Sequence, residues 1–354
     1  MAKKLEFIPF GKLETIWKAM ETAKEVSPFM YYDYMSYIVR ETRRNPFRSV
    51  RIACVRDSDT SDILMIVALV KVRGLHPYYK MLGDIGGCDI ADALYKAGMT
   101  AEEKLSCIRF FYESMPGKLV LRRLYEKSPL YLNAPSDRVV SDGAVGYADI
   151  PVFEDWDSYL KSLSGYSRHN VKRAYMRMER DGVRYNLQVY GGDKPLPKKV
   201  WRLLMKTYYK RFHAKYKRGV FSEETKGGPI VQFLKYLHYL TIKKLWFYTK
   251  HDSHSIPELP NSRVCVLWDG NEGDEMISFL CGFLTHDKTV YSLPRLAINE
   301  KYNYYTPGCI LMAEVLKYLK AGGVTQHLDM SRGDEQYKFK MGAIAYTAHD
   351  IVLK

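Results

Sequence analysis

A run near the C-terminus, Asp329-Met330-Ser331-Arg332-Gly333-Asp334-Glu335-Gln336-Tyr337-Lys338, gathers groups that move protons and hold anions. Asp329 and Glu335 are carboxylates able to take a proton from an ammonium, and Tyr337 is a phenol able to give one to a leaving thiolate. Lys338 suits an oxyanion or a phosphate, Arg332 a phosphate or carboxylate, and Gly333 permits a tight turn. The same residue types also fit a solvated loop whose charges pair among themselves, and spacing alone leaves both readings open. Upstream, Thr306-Pro307-Gly308-Cys309 opens a helix. Proline in the first turn sacrifices no intrahelical bond, and Gly308 lets an anion approach the free amides. With the helix dipole, that makes a pyrophosphate site. An ordinary Pro-Gly helix start has the same residues.

These groups need strands and helices to aim them. Val- and Ile-rich runs predict strands over 49–56 and 63–73, and further strands are expected over 118–124 and 144–152. Thr100 with Glu103 reads as a capping box opening a helix over 100–114. Residues 154–181 carry a helical period with Gly165 as a break point, followed by a strand over 184–190 and helices over 197–217 and 229–244. Strands over 263–269, 276–284 and 289–299 precede the helix 307–321, which Gly322-Gly323 stops. A strand over 325–330 delivers the polar cluster, and an apolar run over 343–353 closes the chain.

The chain has 354 residues, 47% hydrophobic and 27% charged, which is globular composition and suits two domains. A net charge of +14 favours polyanionic partners such as nucleic acid, phosphorylated cofactors or an anionic membrane surface. Cys54, Cys88, Cys107, Cys265, Cys281 and Cys309 show no C-x-x-C spacing and sit mostly in apolar segments. They read as reduced buried thiols, and with no signal-like N-terminus and no long apolar run the expectation is a cytoplasmic protein without membrane insertion. No histidine spacing suggests a metal site. The fingerprints of P-loop NTPases, serine hydrolases and dinucleotide-binding folds are absent. Two stretches, 167–180 and 206–218, interleave basic residues with aromatics. That pattern fits either an amphipathic helix or a single-stranded nucleic-acid contact.

Thr306-Pro307-Gly308, Leu311, Glu314 and the motif Arg332-Gly333-x-Glu335-x-Tyr337-Lys338 resemble the CelD-like branch of the GNAT N-acyltransferases. The stretch Ser167-Arg168-x-Asn170-x-x-Arg173 resembles that family's basic linker helix. The resemblance implies an α/β fold (α+β, with mixed sheets) of two tandem GNAT-like domains, as in Fem-type peptidyltransferases. Each is a twisted mixed sheet flanked by helices, here spanning 1–155 and 156–354, the second including the linker helix 167–181. It further implies acetyl-CoA or another acyl-CoA as co-substrate and no metal. The pyrophosphate would meet Thr306, Pro307, Gly308 and Cys309, with Arg332 and Gly333 beside the donor. Asp329, Glu335, Tyr337 and Lys338 would form the catalytic set. Where ordinary GNAT proteins carry Arg/Gln-x-x-Gly-x-Gly/Ala, this chain has Tyr304-Tyr305-Thr306-Pro307-Gly308.

The function expected is N-acyl transfer to a small-molecule amine, such as an amino sugar or amino acid. Two alternatives are an aminoacyl-tRNA-dependent Fem-like ligase and a non-catalytic RNA-binding GNAT-like protein. Both would use tRNA or another polyanion as partner.

Overall fold

The computed structural model describes residues 2–23, 26–85, 88–220, 229–238 and 257–354. The chain begins with β1 (Lys3–Ile8), α1 (Glu14–Glu21), α2 (Tyr32–Arg43), β2 (Arg48–Asp57), β3 (Ile63–Val72), β4 (Tyr78–Met81) and β5 (Leu94–Tyr95). Next come α3 (Ala101–Ser114), β6 (Leu119–Tyr125), α4 (Pro129–Leu132) and β7 (Val139–Pro151). Then follow α5 (Trp156–Ser162), α6 (Gly165–Arg180), β8 (Tyr185–Tyr190), α7 (Lys198–Val220) and α8 (Pro229–His238). The last part holds β9 (Ser262–Asp269), β10 (Glu275–Leu284), β11 (Val290–Ile298), α9 (Pro307–Ala321), β12 (His327–Arg332), α10 (Gln336–Lys340) and β13 (Ile344–Leu353). The fold is α/β with mixed sheets flanked by helices.

Two compact units divide the chain. The first comprises 1–153, 284–294 and 323–354; the second comprises 154–283 and 295–322. The division expected at 155/156 follows chain order, whereas here 284–294 and 323–354 pack with the N-terminal residues. In the first unit the strand order is β1-β2-β3-β4-β6-β13-β7-β12-β11, with β5 added on β3. The β4–β6 and β11–β12 pairs are parallel and the others antiparallel. Strand β3 reads Ile-Leu-Met-Ile-Val-Ala-Leu-Val over its first eight residues, and those eight are all buried, as in a strand covered on both faces. The closing strand β13 lies between β6 and β7, pairing Val352 with both Val120 and Ser141. The last residues of the chain are therefore interior to this sheet.

In the second unit β8, β9 and β10 form an antiparallel run. The helical stretch after residue 154 is broken at Ser164, one residue ahead of the glycine expected to break it. The Ser164 hydroxyl accepts from the Ser167 N–H at 3.2 Å and so opens α6, while Asp155 opens α5 by accepting from Ser158 N–H at 2.7 Å. Helix α9 spans the expected 307–321. Residues 239–244 of the expected helix lie outside the described residues, as does most of the loop expected after residue 250. Among the described residues no helix is long and apolar enough to cross a membrane.

The α3 capping box forms as the sequence suggests. Thr100 Oγ1 accepts from Glu103 N–H at 3.2 Å, and Glu103 Oε2 accepts from Thr100 N–H at 2.8 Å. Because Thr100→Ala removes the acceptor of the Glu103 N–H and leaves only the Glu103 half of the box, it is expected to lower unfolding free energy by about 1 kcal/mol, measured by urea denaturation.

Candidate active site

The site grows from the end of a short parallel ladder. Strands β11 and β12 pair Val290 with His327, Tyr291 with Leu328 and Ser292 with Asp329, and their register goes no further. Proline 294 brings a nitrogen with no hydrogen two residues later, so β11 has no donor there to extend a ladder. On its other side β12 faces β7, with Asp329 opposite Asp149, and then bulges before Arg332 meets Tyr147. Directly opposite residues share a face, and so do residues two apart on one strand. His327, Asp329, Asp149 and Tyr147 therefore crowd one face of the sheet, joined by Tyr346 opposite Tyr147 on β13.

Asp329 is 6% exposed. Its Oδ1 accepts from the Ser331 N–H at 2.8 Å and from the Tyr346 hydroxyl at 2.9 Å. Burial pushes its carboxyl up to about 6, and the charge of Asp89 adds to the rise, while the Ser331, Tyr346 and Ser292 hydrogen bonds oppose it. A carboxyl so placed is a far better base than an exposed one. About two units of basicity correspond to roughly a hundredfold in proton affinity. Tyr346 holds its own proton tightly, first because it is buried and next because Asp329 is anionic beside it.

Lys338 is 2% exposed, and its ammonium donates to the carbonyls of Ser331, Arg332 and Gly333, each at 2.9 Å, with Glu335 Oε2 at 3.3 Å. An ammonium has three hydrogens, and three carbonyls take them. Burial lowers its proton affinity, and Glu335, Asp329 and Asp89 work against that fall. The turn it holds is one the backbone resists: Ser331 has φ 57° and Gly333 φ 109°. A Cβ at position 333 would also meet the Glu335 carboxylate, which would have to swing away from Lys338. Gly333 N–H donates to Gly146 O at 2.9 Å, fastening the turn to β7. The Arg-Gly-x-Glu-x-Tyr-Lys spacing thus builds a pinned turn that aims the Ser331 N–H at Asp329.

The other residues expected here are placed differently. Tyr337 is 42% exposed on α10, Arg332 is exposed at the end of β12, and Glu335 is the residue before α10. Thr306, Pro307, Gly308 and Cys309 belong to the second unit. Thr306 adopts a left-handed φ of 53° and its side chain makes no cap bond; Cys309 N–H donates to its carbonyl at 2.9 Å. The first turn of α9 holds no acidic residue, and a Cβ on Gly308 would meet only Ile298, at 4.0 Å. Helix α6 supplies cations beside the segment that leads into α9. Arg177 donates to Tyr304 O at 2.8 Å with its guanidinium 4.4 Å from that ring, and Arg180 donates to the Tyr304 hydroxyl at 2.9 Å. The linker motif is largely structural. Arg168 binds the Leu163 carbonyl at 3.1 Å at the end of α5, and Arg173 donates to Asn170 at 2.8 Å.

Three contributors lie beyond the expected set. Tyr346 comes from a strand read only as an apolar run. Asp149 comes from β7; burial raises its carboxyl, while His327, 3.8 Å away, opposes that. Asp89 comes from the loop before β5, where burial raises its carboxyl and the guanidinium groups of Arg123 and Arg332 act the other way. The Tyr147 hydroxyl fixes that loop by donating to Asp89 O at 2.6 Å. No spacing connects residue 89 with 329; only the alternation of β7 and β12 could have flagged Asp149.

Residues 260–339 match the profile of the acetyltransferase (GNAT) domain. Among solved structures, FemX is similar at 8% identity, covering 98% of this chain and 96% of that one, with a TM-score of 0.52. The C-terminal domain of a putative lysylphosphatidylglycerol synthetase from Agrobacterium fabrum is similar at 10% identity, over 98% and 92%, with a TM-score of 0.50. A conserved protein of unknown function from Bacteroides thetaiotaomicron is similar at 10% identity over 100% of both chains, with a TM-score of 0.51. No curated protein matches the chain. Residues 260–339 thus match a GNAT domain, and the fold of the chain is similar to that of FemX. The matched domain supports a transferase.

Removing the Lys338 ammonium leaves three carbonyls without a donor, so Lys338→Met is expected to cost about 3 kcal/mol or more in urea unfolding. Asp329 gives a pH signature. Its folded value near 6 lies above the ordinary 3.8, so the folded state binds the extra proton in that window. Its contribution to stability is then full below 3.8 and lost as pH rises through 6. Melting of Asp329→Asn across this range is expected to lack that fall; an unchanged pH profile would refute the assignment.

Proposed function

We propose that this protein is an acyl-CoA-dependent N-acyltransferase that places an acetyl or longer acyl group on a primary amine of a small molecule, such as an amino sugar or amino acid. The observation that carries the reading is Asp329: a buried carboxyl of raised basicity, aimed by the Ser331 N–H and the Tyr346 hydroxyl at the end of the β11–β12 ladder. In this reading Asp329 takes a proton from the acceptor ammonium. The freed amine attacks the thioester carbonyl, a C–N bond forms, the C–S bond breaks, and the thiolate leaves with a proton from an acid. Exposed Tyr337 suits that acid better than Tyr346, whose proton Asp329 holds. Lys338 serves as a positioning residue, since its hydrogens go to the turn. Support for an acyl-CoA donor comes from the GNAT-domain match over residues 260–339.

A second reading, an aminoacyl-tRNA-dependent ligase, is supported by the net charge of +14 and the fold likeness to FemX. Thermal shift separates the two. Acetyl-CoA at a hundredfold excess over its Kd should stabilise the protein by about 2.7 kcal/mol, whereas the ligase reading expects tRNA to do so with steep salt dependence. If no CoA species moves the melting temperature, the acyl-CoA reading falls.

With an acceptor in hand, Asp329→Asn is expected to lower kcat by roughly 10²–10⁴-fold with the fold intact. The wild-type rate should rise with pH through about 6. A flat profile across that range, or a fully active Asp329→Asn variant, would overturn the role.

A further inference from the structure

The loop before β5 is fastened at three successive points. Arg123 on β6 donates to the Cys88 carbonyl, and the Tyr147 hydroxyl on β7 donates to the Asp89 carbonyl at 2.6 Å. Ala91 N–H then donates to the Arg123 carbonyl at 3.1 Å. Arg123 makes these bonds from a left-handed φ of 62°, where the register of β6 against β13 shifts. A strained residue at a bulge commonly aims a neighbouring side chain. Here the side chain held up is Asp89. Its carboxylate is half-buried and makes no ion pair among the described residues. Beside it stands the Ser331 hydroxyl, 5% exposed and without a partner at hydrogen-bond distance. Asp329 lies close enough to feel the Asp89 charge, and its two hydrogen bonds both go to Oδ1, which leaves Oδ2 open. Arg332, exposed at the end of β12, acts on Asp89 through its charge, yet the two form no ion pair.

We propose that Asp89 and Arg332 recognise the acceptor, and that the acceptor is a free amino acid, its ammonium between Asp89 and Asp329 and its carboxylate on Arg332. The inference rests on the acyl-transfer reading and narrows its acceptor to one class. Neighbouring carboxylates repel each other, and an ammonium between them removes that repulsion. A buried hydroxyl without a partner is costly, and a polar atom of the ligand beside Ser331 offsets the cost. A guanidinium near a carboxylate but not paired with it fits a ligand of reversed polarity inserted between them. Arg123 is committed to the Cys88 carbonyl, with Asp84 at 4.0 Å, so Arg332 is the guanidinium left for a ligand. Arginine suits a carboxylate because its fork can make two parallel hydrogen bonds. An amino sugar would leave Arg332 unmatched. A diamine would bring a second cation toward two guanidinium groups, and like charges so placed repel. All of these residues belong to the first unit.

Thermal shift of the full chain tests it, with the common L-amino acids added singly at millimolar concentration, with and without free CoA. The controls are the matching decarboxylated amines and glucosamine. At least one amino acid should raise the melting temperature, and its decarboxylated amine and glucosamine should not. Titration of that amino acid should give a Kd roughly tenfold or more weaker for Asp89→Asn and for Arg332→Gln. Arg332→Gln replaces an exposed, unpaired side chain, so the melting temperature of the free variant should stay that of the wild type. A shift by no amino acid, an equal or larger shift by the decarboxylated amines, or an unchanged Kd in Arg332→Gln overturns the inference. The donor reading is tested apart from this. Stabilisation by acetyl-CoA but by no amino acid removes the acceptor assignment alone. Amino-acid binding with the expected variant effects upholds that assignment even where no CoA species binds.

Discussion

A buried ammonium organises this site. Lys338 gives its hydrogens to three successive carbonyls, 331 to 333, in a turn where Ser331 and Gly333 take positive φ values that cost free energy on their own. Removing a lysine from water is expensive, and the expense is offset only because every donor is met and Glu335 lies at 3.3 Å. What the arrangement secures is direction. With the turn fastened, the Ser331 N–H has one orientation, toward Asp329, and the carboxyl stays buried in one rotamer.

The same constraint links packing to chemistry. The β11–β12 ladder stops after Ser292 and Asp329, so the carboxyl stands where regular pairing of those strands ends. Strand β13, interior to the sheet between β6 and β7, brings Tyr346 to the same oxygen. Low polarity then does what a solvated loop could not. Desolvation penalises the anion and makes Asp329 a usable base, while one N–H and one hydroxyl keep it from becoming a permanently protonated acid.

Much of this was legible in the residues, although not their division of labour. The Asp329–Lys338 run and the α9 helix start were visible because Gly, Pro and clustered charges carry local conformational meaning. The Thr100 capping box and the break near Gly165 were legible for the same reason. Lys338 was read as a group for substrate anions, because a lysine in a polar run gives no sign that the chain will fold its own carbonyls around it. Tyr346 and Asp89 were not visible at all. Their place depends on β13 entering between β6 and β7 and on the loop before β5 reaching β12, both long-range pairings without a local pattern. The early elements β1, α1 and α2 lacked the strong Val/Ile runs or caps that betray an element, and packing rather than propensity forms them.

The central claim is that burial gives Asp329 a raised proton affinity while the pinned turn holds the carboxyl in place. The most direct measurement is a carbon-13 NMR titration of the aspartate carboxyls, with Asp329 assigned by its disappearance in Asp329→Asn. A midpoint near 6 agrees with the account; a midpoint in the ordinary range near 3.8 contradicts it.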